Sequence, residues 1–143
     1  MYDDILLPTD GSSGTVDALD HAITVASDQD ARIHVLYVLD KRLYTAASEE
    51  SKDEIRQSLE EEADVALDDA RVRIEDEGIE CVTVSEEGIP YTTVTDYADS
   101  EDIDLVVMGT RGQTGPDRMV NLGSTTERVL KNASQPVLVV DID

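Results

Sequence analysis

The chain has 143 residues, a length for one domain with one hydrophobic core, residues 1–143. Its 33 acidic residues against 11 lysines and arginines give a formal net charge of −22, which argues against a nucleic-acid partner and against a polybasic membrane patch. The single cysteine, Cys81, excludes an internal disulfide framework and a multi-cysteine zinc site.

Asp4-Ile5-Leu6-Leu7-Pro8 is an apolar run that predicts a buried strand, and Thr9-Asp10-Gly11-Ser12-Ser13-Gly14 predicts a loop and a helix start. A strand beginning almost at Met1 leaves no room for a signal peptide, and no apolar run approaches the ~20 residues of a membrane span. A soluble, cytoplasmic protein with no membrane partner is therefore expected. Val16, Leu19, Ile23 and Ala26 follow at helical spacing. Arg32 to Val38 is rich in β-formers and predicts a second strand, followed by a loop over Asp40 to Glu50. Ser51 and Glu54 fit a capping box at the head of a long helix. Ile55, Leu59, Ala63, Ala66, Ala70 and Ile74 form its apolar stripe, and Gly78 its C-terminal stop.

Ile79 to Ser85 predicts a third strand. Gly88-Ile89-Pro90 ends it, and Pro90 suits the first turn of a short helix with Val94, Tyr97 and Ala98 inward. Asp104 to Met108 predicts a fourth strand buried on both faces. Ser124-Thr125-Thr126-Glu127 fits a second capping box, opening a helix through Val129, Leu130 and Ala133. Pro136 to Val140 predicts the last strand. Alternating strands and helices predict right-handed βαβ units and an α/β architecture: a five-stranded parallel sheet with helices on both faces.

In such a sheet ligands bind beyond the carboxyl ends of the strands, where strand order reverses. If the first and fourth strands are neighbours, Thr9-Asp10-Gly11-Ser12 and Gly109-Thr110-Arg111-Gly112 face one crevice, with Gly123-Ser124-Thr125 at a helix start beside it. The charge pattern marks the same place. The window from Leu105 to Val140 carries a net +2 against −24 for the rest, and holds Gly109, Gly112, Gly115 and Gly123. Glycines let backbone N–H groups turn toward an anion, the helix start adds free N–H groups and a positive dipole end, and Arg111 adds a fixed charge. Two readings stand: a phosphate cradle, or a plain helix cap and tight turn. Asp10 suits a ribose hydroxyl, a base nitrogen or a metal ion, or else an Asx-turn.

Together these residues resemble the universal stress protein family. The resemblance spans nearly the whole chain: Ile5-Leu6-Leu7-Pro8-Thr9-Asp10-Gly11-Ser12, then Gly88-Ile89-Pro90, then Val107 to Gly112 through Gly123 to Val129, and the closing Pro136 to Val140. It implies a Rossmann-like three-layer sandwich. The family's ATP-binding branch is marked by G-x2-G-x9-G-[S/T]. Gly109 and Gly112 have that spacing and Gly123-Ser124 closes the motif, but ten residues separate Gly112 from Gly123 where the pattern has nine. By resemblance, ATP with magnesium or manganese would be held by Pro8, Thr9, Asp10, Val38, Met108, Gly109, Arg111, Gly112, Gly123, Ser124 and Thr125. The adenine would lie near Asp10 and Val38, the ribose near Thr9, Asp10 and Gly109, and the phosphates near Arg111, Gly112, Gly123, Ser124 and Thr125. Family members usually dimerise, and Val137, Leu138, Val139 and Val140 would suit that as an edge strand. The dispersed acid, three lysines and absent Phe and Trp resemble proteins of salt-accumulating archaea.

There is no P-loop and no G-x-G-x-x-G fingerprint. His21, His34 and Cys81 read as packing or surface residues rather than catalysts. Nothing marks a general base for fast ATP hydrolysis. Three readings follow: a nucleotide-binding regulatory module acting on a protein partner, a slow ATPase, and a dimeric stress module that binds no nucleotide. A response-regulator receiver fits less well, because Asp3 and Asp4 precede the first strand.

Overall fold

The computed structural model describes residues 1–110 and 122–141. Five strands, β1 (Asp4–Thr9), β2 (Arg32–Asp40), β3 (Cys81–Gly88), β4 (Leu105–Gly109) and β5 (Val137–Val140), form one parallel sheet in the order β3-β2-β1-β4-β5. Four helices connect them: α1 (Ser13–Gln29), α2 (Glu49–Asp76), α3 (Pro90–Ser100) and α4 (Ser124–Asn132). The order reverses between β1 and β4, as expected. Among the described residues no helix is long and apolar enough to cross a membrane.

Side chains alternate along each strand, so every strand feeds two cores. Ile5, Leu7, Ile33, Val35 and Val107 point to one face, under Leu19 and Ala22 of α1 and Ala63, Leu67 and Ile74 of α2. Leu6, Leu36, Val106 and Met108 point to the other, under Val94, Tyr97 and Ala98 of α3 and Val129 of α4. Burial on both faces explains why the strands read as continuous apolar runs rather than alternating ones. Two buried polar side chains, Thr9 of β1 and His34 of β2, break the pattern. His34 is buried, with Nδ1 2.8 Å from the Tyr97 hydroxyl and Nε2 2.8 Å from Asp4 Oδ1.

The helix boundaries correct several sequence expectations. Ser51 and Glu54 do not form the capping box of α2. The helix begins at Glu49, and Ser48 Oγ accepts from the Ser51 N–H at 3.3 Å. The Asp40–Glu50 segment is not all loop: it opens with a 3-10 turn over Lys41–Leu43 and ends in the head of α2. Nor does Ser124 cap α4. Gly123 holds the N-cap position, no side-chain cap is made, and Glu127 pairs with Lys131 at 2.9 Å. Val16 and Leu130 turn outward, being 50% and 40% exposed, while Ala18 and Ala22 take the inner face of α1. The α2 stripe holds, with Leu67 added to it.

Gly78 stops α2 as expected. It adopts φ +76°, its N–H donates to Glu75 O at 2.9 Å, and Ile79 N–H donates to Ile74 O at 3.3 Å. This is a Schellman motif, sealed by Ile74 and Ile79 in the core.

Gly88, at the end of β3, lies close against α3. A Cβ there would lie 2.3 Å from Thr93 Oγ1 on the first turns of α3. Gly88→Ala is expected to lower stability by about 1–2 kcal/mol, since the hydroxyl must swing away. Urea unfolding should show most of that recovered in Gly88→Ala/Thr93→Ala; no recovery would place the cost in the backbone instead.

Candidate functional site

Strand pairing opens a crevice at the switch point. β1 pairs with β2 over six residues, Asp4 to Thr9, but with β4 only at Ile5↔Leu105 and Leu6↔Val106. Beyond those pairs no ladder joins the carboxyl-terminal halves of β1 and β4. The described parts of the two strand ends, Thr9 to Ser12 and Gly109-Thr110, flank that unpaired stretch, with the first turn of α4 beside Gly109.

On the β1 side, the loop after the strand is held by its own hydroxyls and carboxylate. Thr9 is buried; its Oγ1 donates to Thr15 Oγ1 at 3.0 Å and accepts from the Gly11 N–H at 3.0 Å. Asp10 Oδ1 accepts from the Ser12 N–H at 2.9 Å, so the Asx-turn reading of Asp10 is observed. Gly11 takes φ +79°, which lets the chain turn sharply into α1. Pro8 is half-buried. Thr9 stands in register with Tyr37 on β2, so Val38 follows alongside Asp10; it is half-buried against the α3–α4 core.

On the β4 side, Met108 is buried and Gly109 half-buried. The Thr110 N–H donates to Val140 O at 3.0 Å, and Thr110 O accepts from the Gly123 N–H at 2.7 Å. Thr126 is buried, and its hydroxyl donates to Gly109 O at 2.8 Å. In the sequence Thr126 stands out only as an inner position of a capping box. No periodic or compositional signal ties it to a residue seventeen positions away. Ser124 is exposed and Thr125 half-buried in the first turn of α4. Arg111 and Gly112, two residues of the glycine-rich motif, lie outside the described residues, as does Gly115.

The electrostatics differ across the crevice. A hollow beside Asp10 and Gly11 is lined by Tyr37, Glu61, Glu62, Val65 and Asp69. Burial first, then Glu62 and Asp10, raise the Tyr37 hydroxyl above its usual pKa. The α4 side carries no such acid wall: Gly123 offers no side chain, and among the described residues none caps the N–H groups of that turn. Farther along the same rim, Tyr44 is buried, its hydroxyl donates to Glu87, and its pKa is pushed up to about 12 by burial and then by Glu87. Arg56 pairs with Glu87 at 3.4 Å, fastening the segment after β2 to α2 and β3. Among the described residues no group of three or more His, Cys, Asp or Glu is placed to hold a metal ion. Cys81 is buried, and burial pushes its thiol up, which suits a packing role.

The universal stress protein family model matches residues 1–141. The chain belongs to the universal stress protein family. Universal stress protein MJ0531 of Methanocaldococcus jannaschii is 40% identical over 141 residues, covering 98% of this chain and 82% of that protein. The solved structure of MJ0577 from the same organism superposes with a TM-score of 0.90 at 33% identity, covering 100% of this chain and 98% of that one. The universal stress protein from Archaeoglobus fulgidus, solved in complex with dAMP, has a TM-score of 0.70 at 22% identity, with 96% and 97% of the two chains covered. At that identity the likeness concerns the fold alone. The family assignment agrees with the Rossmann-like sandwich expected from sequence.

Proposed function

We propose that this universal stress protein is an adenine-nucleotide-binding regulatory module of the ATP-binding branch, a single cytoplasmic domain that acts on a protein partner. The observation that carries the reading is the unpaired crevice between β1 and β4, closed on one side by an α4 first turn that no described side chain caps. Uncapped N–H groups at a helix start form an anion site, and this one lies in the least acidic stretch of a chain of net charge −22. The dAMP held by the Archaeoglobus fulgidus relative supports an adenine nucleotide as the ligand class.

In this reading ATP lies with its base beside Asp10 and Val38 and its ribose beside Thr9, Asp10 and Gly109. Its phosphates meet Gly123, Ser124 and Thr125, with Arg111 and Gly112 completing the cradle; Pro8 and Met108 line it. The acid hollow at Glu61, Glu62 and Asp69 disfavours phosphate on the β1 side and so orients the ligand. When bound, the nucleotide supplies a polyanion, with magnesium or manganese, that links β4 to α4. β5 is an edge strand with Val137, Leu138 and Val139 half-buried, and it serves as the homodimer edge. The even spread of acid suits a salt-rich archaeal cytoplasm.

Equilibrium dialysis against ATP in molar KCl with magnesium tests the reading. Saturable binding of about one ATP per chain is expected, and Gly109→Val/Gly123→Val should abolish it while circular dichroism stays unchanged, because Cβ groups would crowd the cradle. Retained affinity in that variant, or no binding by the folded wild-type protein, would sink it.

A further inference from the structure

We propose that Thr126 is the positioning residue of the crevice: its hydroxyl fixes the first turn of α4 on the end of β4, and so sets the affinity for adenine nucleotide. The second half of this statement rests on the nucleotide reading above; the first does not.

One peptide unit, Gly109–Thr110, sets the geometry. In a trans peptide the C=O and the following N–H point in opposite directions. The Thr110 N–H donates to Val140 O on β5, at 3.0 Å. The Gly109 carbonyl therefore points away from β5, toward the β1 side of the sheet. In a continuous sheet a β1 N–H would meet it. Here the β1·β4 ladder ends at Leu6↔Val106, three residues earlier. The carbonyl would face the crevice without a strand partner. Thr126 Oγ1 takes that place at 2.8 Å, from a side chain 3% exposed.

Two consequences follow. A carbonyl oxygen with no donor, at the wall of a crevice meant for phosphate, would repel the ligand and carry the desolvation cost of an unpaired acceptor. The hydroxyl removes both. It also acts together with the bond from Gly123 N–H to Thr110 O, 2.7 Å long. The two bonds join consecutive carbonyls of β4's end, Gly109 and Thr110, to the N-cap and third residue of α4. Two attachment points fix an orientation where one would leave a swivel. Val129, fully buried one turn later, anchors the helix from below. The N–H groups of Ser124 and Thr125 thus stand at a set distance from Gly109.

Thr126→Val keeps the shape and removes the donor; Thr126→Ser keeps the donor. The first measurement needs no ligand. Amide hydrogen exchange at Gly123 is expected to speed up about tenfold or more in Thr126→Val and to stay near the wild-type rate in Thr126→Ser. Unchanged protection in Thr126→Val overturns the inference. So does equal loss in both variants, because Thr126→Ser retains the donor. If Thr126→Val does not fold, Thr126→Ala removes the same donor without a buried branched chain and is read the same way. The second measurement is ATP dialysis in molar KCl. Thr126→Val is expected to weaken binding about tenfold, with Thr126→Ser restoring it. Equal ATP affinity in wild type and Thr126→Val overturns the link to binding. A wild-type chain that binds no ATP overturns the nucleotide reading, and Gly123 exchange still decides what Thr126 does.

Discussion

Asp4→Ala is expected to remove about 2–3 kcal/mol of stability, measured by denaturant unfolding near pH 7. Asp4 Oδ1 accepts from Arg32 Nε and from His34 Nε2, each at 2.8 Å. A carboxylate only accepts, so the His34 Nε2 carries a proton and Nδ1 accepts from the Tyr97 O–H at 2.8 Å. Both ring nitrogens are thereby satisfied inside the α3-side core. Removing the carboxylate strands the buried Nε2–H and leaves Arg32 with Glu80 alone, at 3.1 Å. Tyr97→Phe, which strands only an acceptor, should cost less, about 1 kcal/mol. The pH dependence has a definite sign. Burial raises the Asp4 pKa, but the hydrogen bonds from His34 and Arg32 outweigh it and hold the carboxyl below its ordinary range. A depressed folded pKa gives stability that is present above the unfolded value, about 3.9, and is lost as pH falls through the folded one. The wild-type protein should therefore lose stability on acidification below about pH 4, and Asp4→Ala should lose less over the same interval. Parallel acid limbs in the two proteins would rule out this account.

Salt is expected to act on the whole molecule. Lowering KCl from 2 M to 0.1 M should reduce stability by several kcal/mol, about 10–20 °C in melting temperature. The net charge is −22 on 143 residues, and the charged groups of α2 are largely exposed. At 0.1 M the screening length is about 10 Å, long enough for neighbouring acids to repel; at 1 M it is about 3 Å. The ion pairs that offset this are mostly exposed: Arg56–Glu60, Arg71–Glu75 and Lys131–Glu127 on single helices, with Arg73–Asp20 between α1 and α2. Pairs of that kind contribute about 0–1 kcal/mol each. Circular dichroism melts across a KCl series would check this, and a melting temperature independent of KCl would contradict both the repulsion argument and the salt-rich habitat.

Strand positions and the inner faces of the helices were legible because each follows from a local period. Apolar runs such as Leu105 to Met108 mark strands covered on both sides, and the stripe from Ile55 to Ile74 marks one helix face. Cap positions were less so. Ser51 has the capping-box acid Glu54 three residues on, whereas Ser48 has Ser51 there, so local chemistry points to the wrong serine. The structure selects Ser48 because the turn from Lys41 to Ala47, with bonds from Thr45 N–H to Lys41 O and Ala47 N–H to Tyr44 O, delivers the chain there. Ser124 loses the cap to Gly123 for a similar reason: the Gly123 N–H is already tied to Thr110.

The sequence by itself therefore determined the α/β alternation, the two apolar cores, the acidity and the glycine-rich segment, since all are carried by residues close in the chain. Tertiary structure alone decided that β1 and β4 part after Leu6 and Val106, that Thr126 meets Gly109, and that His34 joins Asp4 to Tyr97 across 30 and 63 residues of sequence. Each of these is a hydrogen-bonding question: where a buried donor or acceptor finds its partner depends on which strands lie side by side, and no periodicity encodes that.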